Sequence, residues 1–333
     1  RKPSRVEAEM IRIAEFFQPN QESLIRLVKQ CGVTDVVGAM DWSEGLGVPR
    51  ERLPWSLDKL AAQKKRYEET GFYLAALENR PPMEKVKLGI EGRDQEIEQV
   101  IELIRNMGKL EIPVWCYEWM PIFNWIRTTT NLPSRGGALV TQFRLEDVTD
   151  PYENEYGLTE KKLWDNLKYF LDTVVPEAES AGVKLAMHPD DPPIPLVKGT
   201  PRIMYSIDNF QRLLDLHPSE MSGIALCQGN FTLMTDDLPG VIRKFGRQQK
   251  IFFVHFRDVQ GQATDFVETF HDDGKTDMVA CMQAYKEVGY SGICRPDHVP
   301  TMGEDSNQNF GYSEIGRLFA IGYLKGLRQA VYA

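Results

Sequence analysis

Four segments of this chain end in residues able to bind a metal or move a proton: Met187-His188-Pro189-Asp190-Asp191-Pro192-Pro193, Leu226-Cys227-Gln228-Gly229-Asn230, Val254-His255-Phe256-Arg257-Asp258 and Arg295-Pro296-Asp297-His298. Each closes an apolar run with the look of a buried parallel strand that stops at a loop. Singly these residues have plain structural uses. A strand-end His is commonly a hydrogen-bonded core or loop residue, and a Cys in an apolar strand a small buried hydrophobe. Four on successive strands are another matter: His188, Cys227, His255 and Asp297 make an N₂SO donor set for a divalent transition metal, with positions left for substrate oxygens. Thiolate and imidazole favour Zn²⁺, Fe²⁺ or Co²⁺, whereas a carboxylate with a hydroxyl-rich substrate also suits Mn²⁺, so the donors alone leave the metal open.

Around them stand candidates for substrate binding, namely Asp190, Arg257, His271 (in Glu268-Thr269-Phe270-His271-Asp272-Asp273-Gly274) and Arg295. Arg257 lies two positions after His255, on the same face if the strand continues, where it could clamp a carboxylate bidentately; a salt bridge to Asp258 or Asp190 is the alternative. His298 adjoins Asp297 and would point away from it in an extended strand, yet it begins a loop, where direction is free. It is a candidate acid or base. Tyr312, in Gly311-Tyr312-Ser313, opens the last helix with its hydroxyl toward the site, or else is a buried structural Tyr. His217, in Leu216-His217-Pro218, ends a helix on the opposite rim and is given no catalytic part.

Elements that could position these groups recur along the chain. Eight short apolar runs, 11–17, 33–40, 72–78, 112–119, 183–188, 223–228, 251–258 and 292–298, alternate with segments of helical period at 20–30, 56–70, 94–107, 159–181, 206–216, 235–245, 277–288 and 313–331. Ser56 and Thr159 read as N-caps, and Gly71, Gly182 and Gly289 sit where helices stop. Eight βα units are most economically a closed (β/α)₈ TIM barrel, an α/β fold whose reactive groups stand at the carboxyl ends of the strands. An open doubly wound sheet is the competitor, but no G-x-G-x-x-G follows the first strand, and Gly45-Leu46-Gly47 lies in a loop. The whole chain, 1–333, reads as one barrel domain. The longest irregular stretch, about 120–158, with Pro121, Pro133, Gly136, Gly137 and Pro151, is expected to lie over the site.

Composition narrows the function. With 39 Lys+Arg against 48 Asp+Glu the net charge is −9, and no basic run exceeds pieces such as Lys64-Lys65-Arg66, so neither nucleic acid nor an anionic membrane is an expected partner. The five cysteines are widely spaced, without a C-x-x-C pair, which suits a reducing compartment. No apolar run reaches the roughly 18 residues of a membrane span, and the opening RKPSRVEAEM is polar. The cytoplasm is the default location.

Taken together, the strings around His188, Cys227, His255, His271 through Asp277-Met278, and Arg295-Pro296-Asp297-His298 resemble the mannonate dehydratase family. Trp115-Cys116-Tyr117 through Met120-Pro121 to Trp125 with Arg127, and Gly311-Tyr312-Ser313 with Ile315-Gly316-Arg317, are similar as well, so the likeness runs from about Val33 to the C-terminus. It implies a xylose-isomerase-like TIM barrel that dehydrates D-mannonate to 2-dehydro-3-deoxy-D-gluconate in hexuronate breakdown. It also implies a divalent metal, usually Mn²⁺, on His188, Cys227, His255 and Asp297, His298 and Tyr312 as the acid/base pair with the order open, and a homo-oligomer of two or more copies. Three rim positions depart from the family pattern: Ala14-Glu15-Phe16-Phe17 stands for its usual Arg-Trp-Tyr-Gly, Met40-Asp41-Trp42 stands where some members carry histidines, and Val299 replaces a Gly. These leave another aldonate as a possible substrate. A metal-dependent sugar isomerase or epimerase on the same barrel is the alternative class, though such enzymes typically surround the metal with several carboxylates, unlike Cys227.

Overall fold

The protein is described here by a computed structural model covering residues 10–150 and 152–333. Positions 1–9 of the polar opening run, and Pro151, lie outside the described residues.

Among the described residues eight parallel strands close into a barrel: β1 (Arg12–Phe16), β2 (Asp35–Gly38), β3 (Tyr73–Leu77), β4 (Val114–Tyr117), β5 (Lys184–Met187), β6 (Ser222–Cys227), β7 (Ile251–His255) and β8 (Ile293–Arg295). Each pairs with its sequence neighbours, and Arg12 opposite Ile293 joins the ends. The eight intervening helices follow the periodic segments: α1 (Glu22–Gln30), α2 (Leu57–Glu69), α3 (Arg93–Lys109), α4 (Glu160–Ala181), α5 (Ile207–Leu216), α6 (Leu238–Arg247), α7 (Met278–Glu287) and α8 (Glu314–Tyr332). Ser56 and Thr159 accept hydrogen bonds from the Lys59 and Lys162 amides, satisfying first-turn donors of α2 and α4. Gly182 ends α4 at φ 68°, a left-handed turn that costs glycine nothing.

The two-residue period of a strand decides what faces the barrel axis. Ala186, Ala225, Phe253 and Ile293 fill the inner layer, while Met187, Leu226, Val254 and Cys294 pack outward against the helices. One further step inward along the same strands lands on His188, Cys227, His255 and Arg295. Register does the rest: Cys227 lies opposite His255, and His255 opposite Arg295, so neighbouring strands present these groups at one height.

The 120–158 segment is not irregular throughout, contrary to the expectation from its prolines and glycines. Thr129–Pro133 and Leu139–Arg144 form an antiparallel hairpin that joins a second one, Val259–Gln262 with Asp265–Glu268, in a four-stranded sheet on the rim. Its apolar face, Phe143, Val259 and Phe266, packs on Ile194 and Val197. Neither hairpin was expected, because each is completed only by pairing with the other, more than a hundred residues away, and by packing on Ile194 and Val197.

Candidate active site

At the carboxyl ends of the strands lies a cavity of about 370 Å³, in the range of small-molecule sites. His188, His255, Asp297, His298 and Tyr312 are on its wall, with Arg295 beside them. One donor atom each of His188, Cys227 and His255 falls within 4.8 Å of the others. His188 Nε2 is 3.2 Å from His255 Nδ1, and Asp297 Oδ2 is 3.5 Å from His255 Nδ1 and 3.8 Å from Cys227 Sγ.

Outer partners turn the two imidazoles. His188 Nδ1 is 2.7 Å from the Pro189 carbonyl, and His255 Nε2 is 3.0 Å from Glu78 Oε1. Those partners orient the rings so that His188 Nε2 and His255 Nδ1 face each other; burial would lower the pKa of His255, but Glu78 and Asp297 hold it well above its usual value, so a cation bound here would displace the Nδ1 proton. Burial alone would raise the Cys227 thiol, but the Arg257 guanidinium and hydrogen bonds with His188 and His255 bring it down to about 6. Burial likewise opposes ionisation of Asp297, and His298, Arg295 and His255 overcome it, holding the carboxyl well below its usual range. Two facing imidazole nitrogens, a thiol of lowered pKa and an ionised carboxylate are a donor set that a divalent cation could bind by displacing the protons between them.

His298 reaches the same cavity because Asp297 adopts φ 64°, a left-handed conformation that breaks strand alternation just where β8 ends. Both side chains of the Asp-His pair then turn inward. Glu268 Oε1 lies 2.7 Å from His298 Nδ1, Trp125 packs at 4.8 Å between ring centroids, and Tyr312 meets it edge-on at 5.2 Å. Burial raises the pKa of the Tyr312 hydroxyl, so that it keeps its proton. Arg295 forks onto Glu78 at 2.9 Å through both oxygens and reaches Asp297 Oδ1 at 2.9 Å, while its Nη1 is buried without a hydrogen-bond partner.

Three residues expected to bind substrate do not line the cavity. Arg257 is not a free clamp, and its partners are not the Asp258 or Asp190 considered above. Strand β7 stops at His255, so Arg257 is not carried to the next inner position. It lies behind the donors, 2.7 Å from Asp297 Oδ2, 3.1 Å from Asp191 Oδ2 and 3.1 Å from Glu268 Oε1. Gly229 makes room for it, since a Cβ there would sit 2.3 Å from Arg257 Nη1. Asp190 is buried too, accepting from the Met204 amide at 2.6 Å. His271 braces the turn before Asp297 with Nε2 2.9 Å from the Pro296 carbonyl. His217 caps α5 beside Asp172, at 3.0 Å.

Sequence reasoning missed Glu78, Glu118 and Glu268. Glu118, at the end of β4, is half-buried between Lys87 (2.7 Å) and Arg80 and lines the cavity. Glu78 and Glu118 each stand two positions past an inner-layer residue, Ala76 and Cys116, and that spacing is the signal that could have found them. Of the departing rim positions, Phe16 forms an apolar wall beside Arg295 (5.5 Å) and Tyr312 (6.2 Å), Glu15 turns away to Arg317 (3.4 Å), and the backbone of Met40 is tied to Asn79. Val299 is buried, its amide bonded to the Gly311 carbonyl.

The chain can now be set beside known proteins. The family model described as D-mannonate dehydratase (UxuA) matches residues 10–156 and 144–333. Mannonate dehydratase 2 of Halalkalibacterium halodurans is 33% identical over 346 residues, which cover 95% of this chain and 98% of the relative. The crystal structure of mannonate dehydratase from Streptococcus suis serotype2 superposes with a TM-score of 0.88 at 31% identity, covering 97% of this chain and 93% of that one. A xylose isomerase domain protein from Planctomyces limnophilus, at 13% identity and a TM-score of 0.60 over 97% of this chain and 99% of its own, shares the fold. On the matched family model and the identity over nearly the full length, this chain belongs to the D-mannonate dehydratase family.

Proposed function

We propose that the chain dehydrates D-mannonate to 2-dehydro-3-deoxy-D-gluconate and water, as a step of hexuronate catabolism, with His188, Cys227, His255 and Asp297 holding Mn²⁺. The observation that carries this reading is the clustering of those four donors at the floor of a cavity that His188, His255, Asp297, His298 and Tyr312 line, with the buried Cys227 Sγ beside His255 and Asp297. When bound, the metal supplies Lewis acidity against the negative charge that builds at the carboxylate end of the substrate.

The remaining work falls to side chains. The C2 proton, α to a carboxylate, must go to a base, and the C3 hydroxyl must leave with a proton from an acid. His298, engaged through Nδ1 by Glu268, offers Nε2 as the base. Tyr312, kept neutral by burial, gives its proton to the departing hydroxyl. Arg295 adds fixed positive charge beside the carboxylate through its unpartnered Nη1. Loss of the C2 proton and the C3 hydroxyl leaves a C2 enol, which becomes the ketone by taking a solvent proton at C3. Segment 120–158 covers this chemistry, with Trp125 against His298 and Asn124 at the cavity mouth. Five free thiols suit work in the cytoplasm, and as in the family reading the protein acts as a homo-oligomer.

The test is a panel of aldonates. D-mannonate is expected to give the 2-keto-3-deoxy acid, activity to vanish with a chelator and return with Mn²⁺, and reaction in deuterated water to place deuterium at C3. A different aldonate as the sole substrate would move the assignment within the reaction class, to which the apolar Phe16 wall is relevant. No keto-deoxy acid from any aldonate, together with C2 exchange or inversion of a ketose, overturns it.

A further inference from the structure

We propose that Glu268 is a positioning residue of this site, holding His298 by Nδ1 so that Nε2 is presented to the cavity. The role of His298 rests on the dehydratase reading; the way it is held does not. Glu268 ends the rim strand Asp265–Glu268 and is buried. Its Oε1 is 2.7 Å from His298 Nδ1, 2.5 Å from Arg127 Nη2 and 3.1 Å from Arg257 Nη1, and its Oε2 accepts from Thr141 Oγ1 at 2.5 Å.

Both oxygens are therefore pinned, by residues from different parts of the chain. That matters because His298 sits past the end of β8, after the left-handed Asp297, where no strand pairing fixes its ring. A ring flip would exchange Nδ1 and Nε2 and turn the wrong nitrogen to the substrate. A carboxylate that accepts from Nδ1–H selects one tautomer and one orientation, as outer partners do for metal-bound imidazoles. Two neighbouring guanidiniums keep that carboxylate ionised. Arg127 and Thr141 both come from segment 120–158, so that segment sets the geometry of the proton-transfer group.

Glu268→Gln tests this with little steric change: an amide oxygen at the Oε1 position, shared with two arginines, offers His298 Nδ1–H only a neutral and weaker acceptor, so the charge that selects the tautomer is lost. The expected result is a kcat lower by about 10–100-fold, with KM and metal content unchanged. On a His298→Asn background the same substitution should cost nothing further. A wild-type kcat, or an equal loss in both backgrounds, overturns the proposal. Should Glu268→Gln fail to fold, Thr141→Val removes only the hydroxyl that pins Oε2; it should give a smaller loss that is again silent beside His298→Asn, and a loss of equal size in both backgrounds overturns the proposal.

A second readout needs no substrate. Nitrogen–proton correlation of the five histidines, with His298→Asn identifying its signal, should show His298 in wild-type protein as the Nδ1–H tautomer and lose that single form in Glu268→Gln or Thr141→Val. An Nε2–H tautomer in wild type overturns the positioning role. Inert aldonates combined with a Glu268-dependent Nδ1–H tautomer would instead sink the dehydratase reading and uphold the positioning.

Discussion

The two halves of the barrel rim do different jobs with similar residues. Strands β5 to β8 lead into His188, Cys227, His255 and Asp297, whose donor atoms converge on one point. Strands β3 and β4 on the other half lead into Glu78 and Glu118, half-buried and also at the rim, yet their oxygens are already taken. Glu78 is spent on Arg295 and His255, and Glu118 on Arg80, Lys87 and the Met120 amide. The difference is one of vacancy. Among the described residues no arginine or lysine donates a hydrogen bond to His188 Nε2 or Cys227 Sγ, whereas a carboxylate held by such cations mainly orients its partners and shapes a wall; Asp297 stands between the two, each oxygen held by one arginine with a lone pair to spare.

Five substitutions would break or sharpen that contrast. The largest effect belongs to Cys227→Ala, which removes a donor outright: metal content by elemental analysis and turnover should both fall to background. Full metal occupancy would end the claim that this half does the binding. Next come His298→Asn, expected to cost on the order of 10²–10⁴ in kcat with the metal retained, and Tyr312→Phe, which keeps the ring but should cost a comparable factor. Unchanged rates in Tyr312→Phe would return that residue to packing. Glu78→Gln, on the orienting half, should lower metal affinity or activity by a smaller factor, about 10–100; a loss as complete as that of Cys227→Ala would make Glu78 a ligand in its own right. The smallest kinetic effect is expected from Arg257→Lys. One ammonium cannot serve three carboxylates, so stability should fall, by up to the roughly 3–5 kcal/mol that breaking a buried ion pair costs, and the melting temperature with it, while substrate KM stays put. A raised KM at unchanged stability would make Arg257 a substrate clamp after all.

How much of this was readable in the sequence follows the same division. The ligand half was legible because His and Cys are chemically distinctive and each closes an apolar run. The barrel was legible because eight alternating periods admit few other solutions. The orienting half was not, since Glu78 and Glu118 look like any acid at the start of a loop, and their status depends on partners such as Arg295, 217 positions away from Glu78. Arg257 shows the limit from the other side. Its charge was evident, but strand β7 ends two residues short of it, and the carboxylates it meets belong to three other segments. Segment 120–158 was read as irregular for a like reason: its hairpin is completed into a sheet only by Asp265–Glu268 and Val259–Gln262.

Under the ligand set proposed above, the left-handed backbone at Asp297 constrains how this lineage could change its metal. A side chain at φ 64° is cheap for Asp, Asn or Gly, while most other residues carry a steric cost of about 1–2 kcal/mol. Replacing the hard oxygen ligand with a soft Cys would thus meet a conformational barrier before any question of ion affinity arose, and a longer Glu would meet the same barrier. Drift in metal preference should therefore enter through His188, Cys227 or His255, on or beside ordinary strand ends, and sequences that diverge in the ion they use should vary at those three positions while keeping the aspartate.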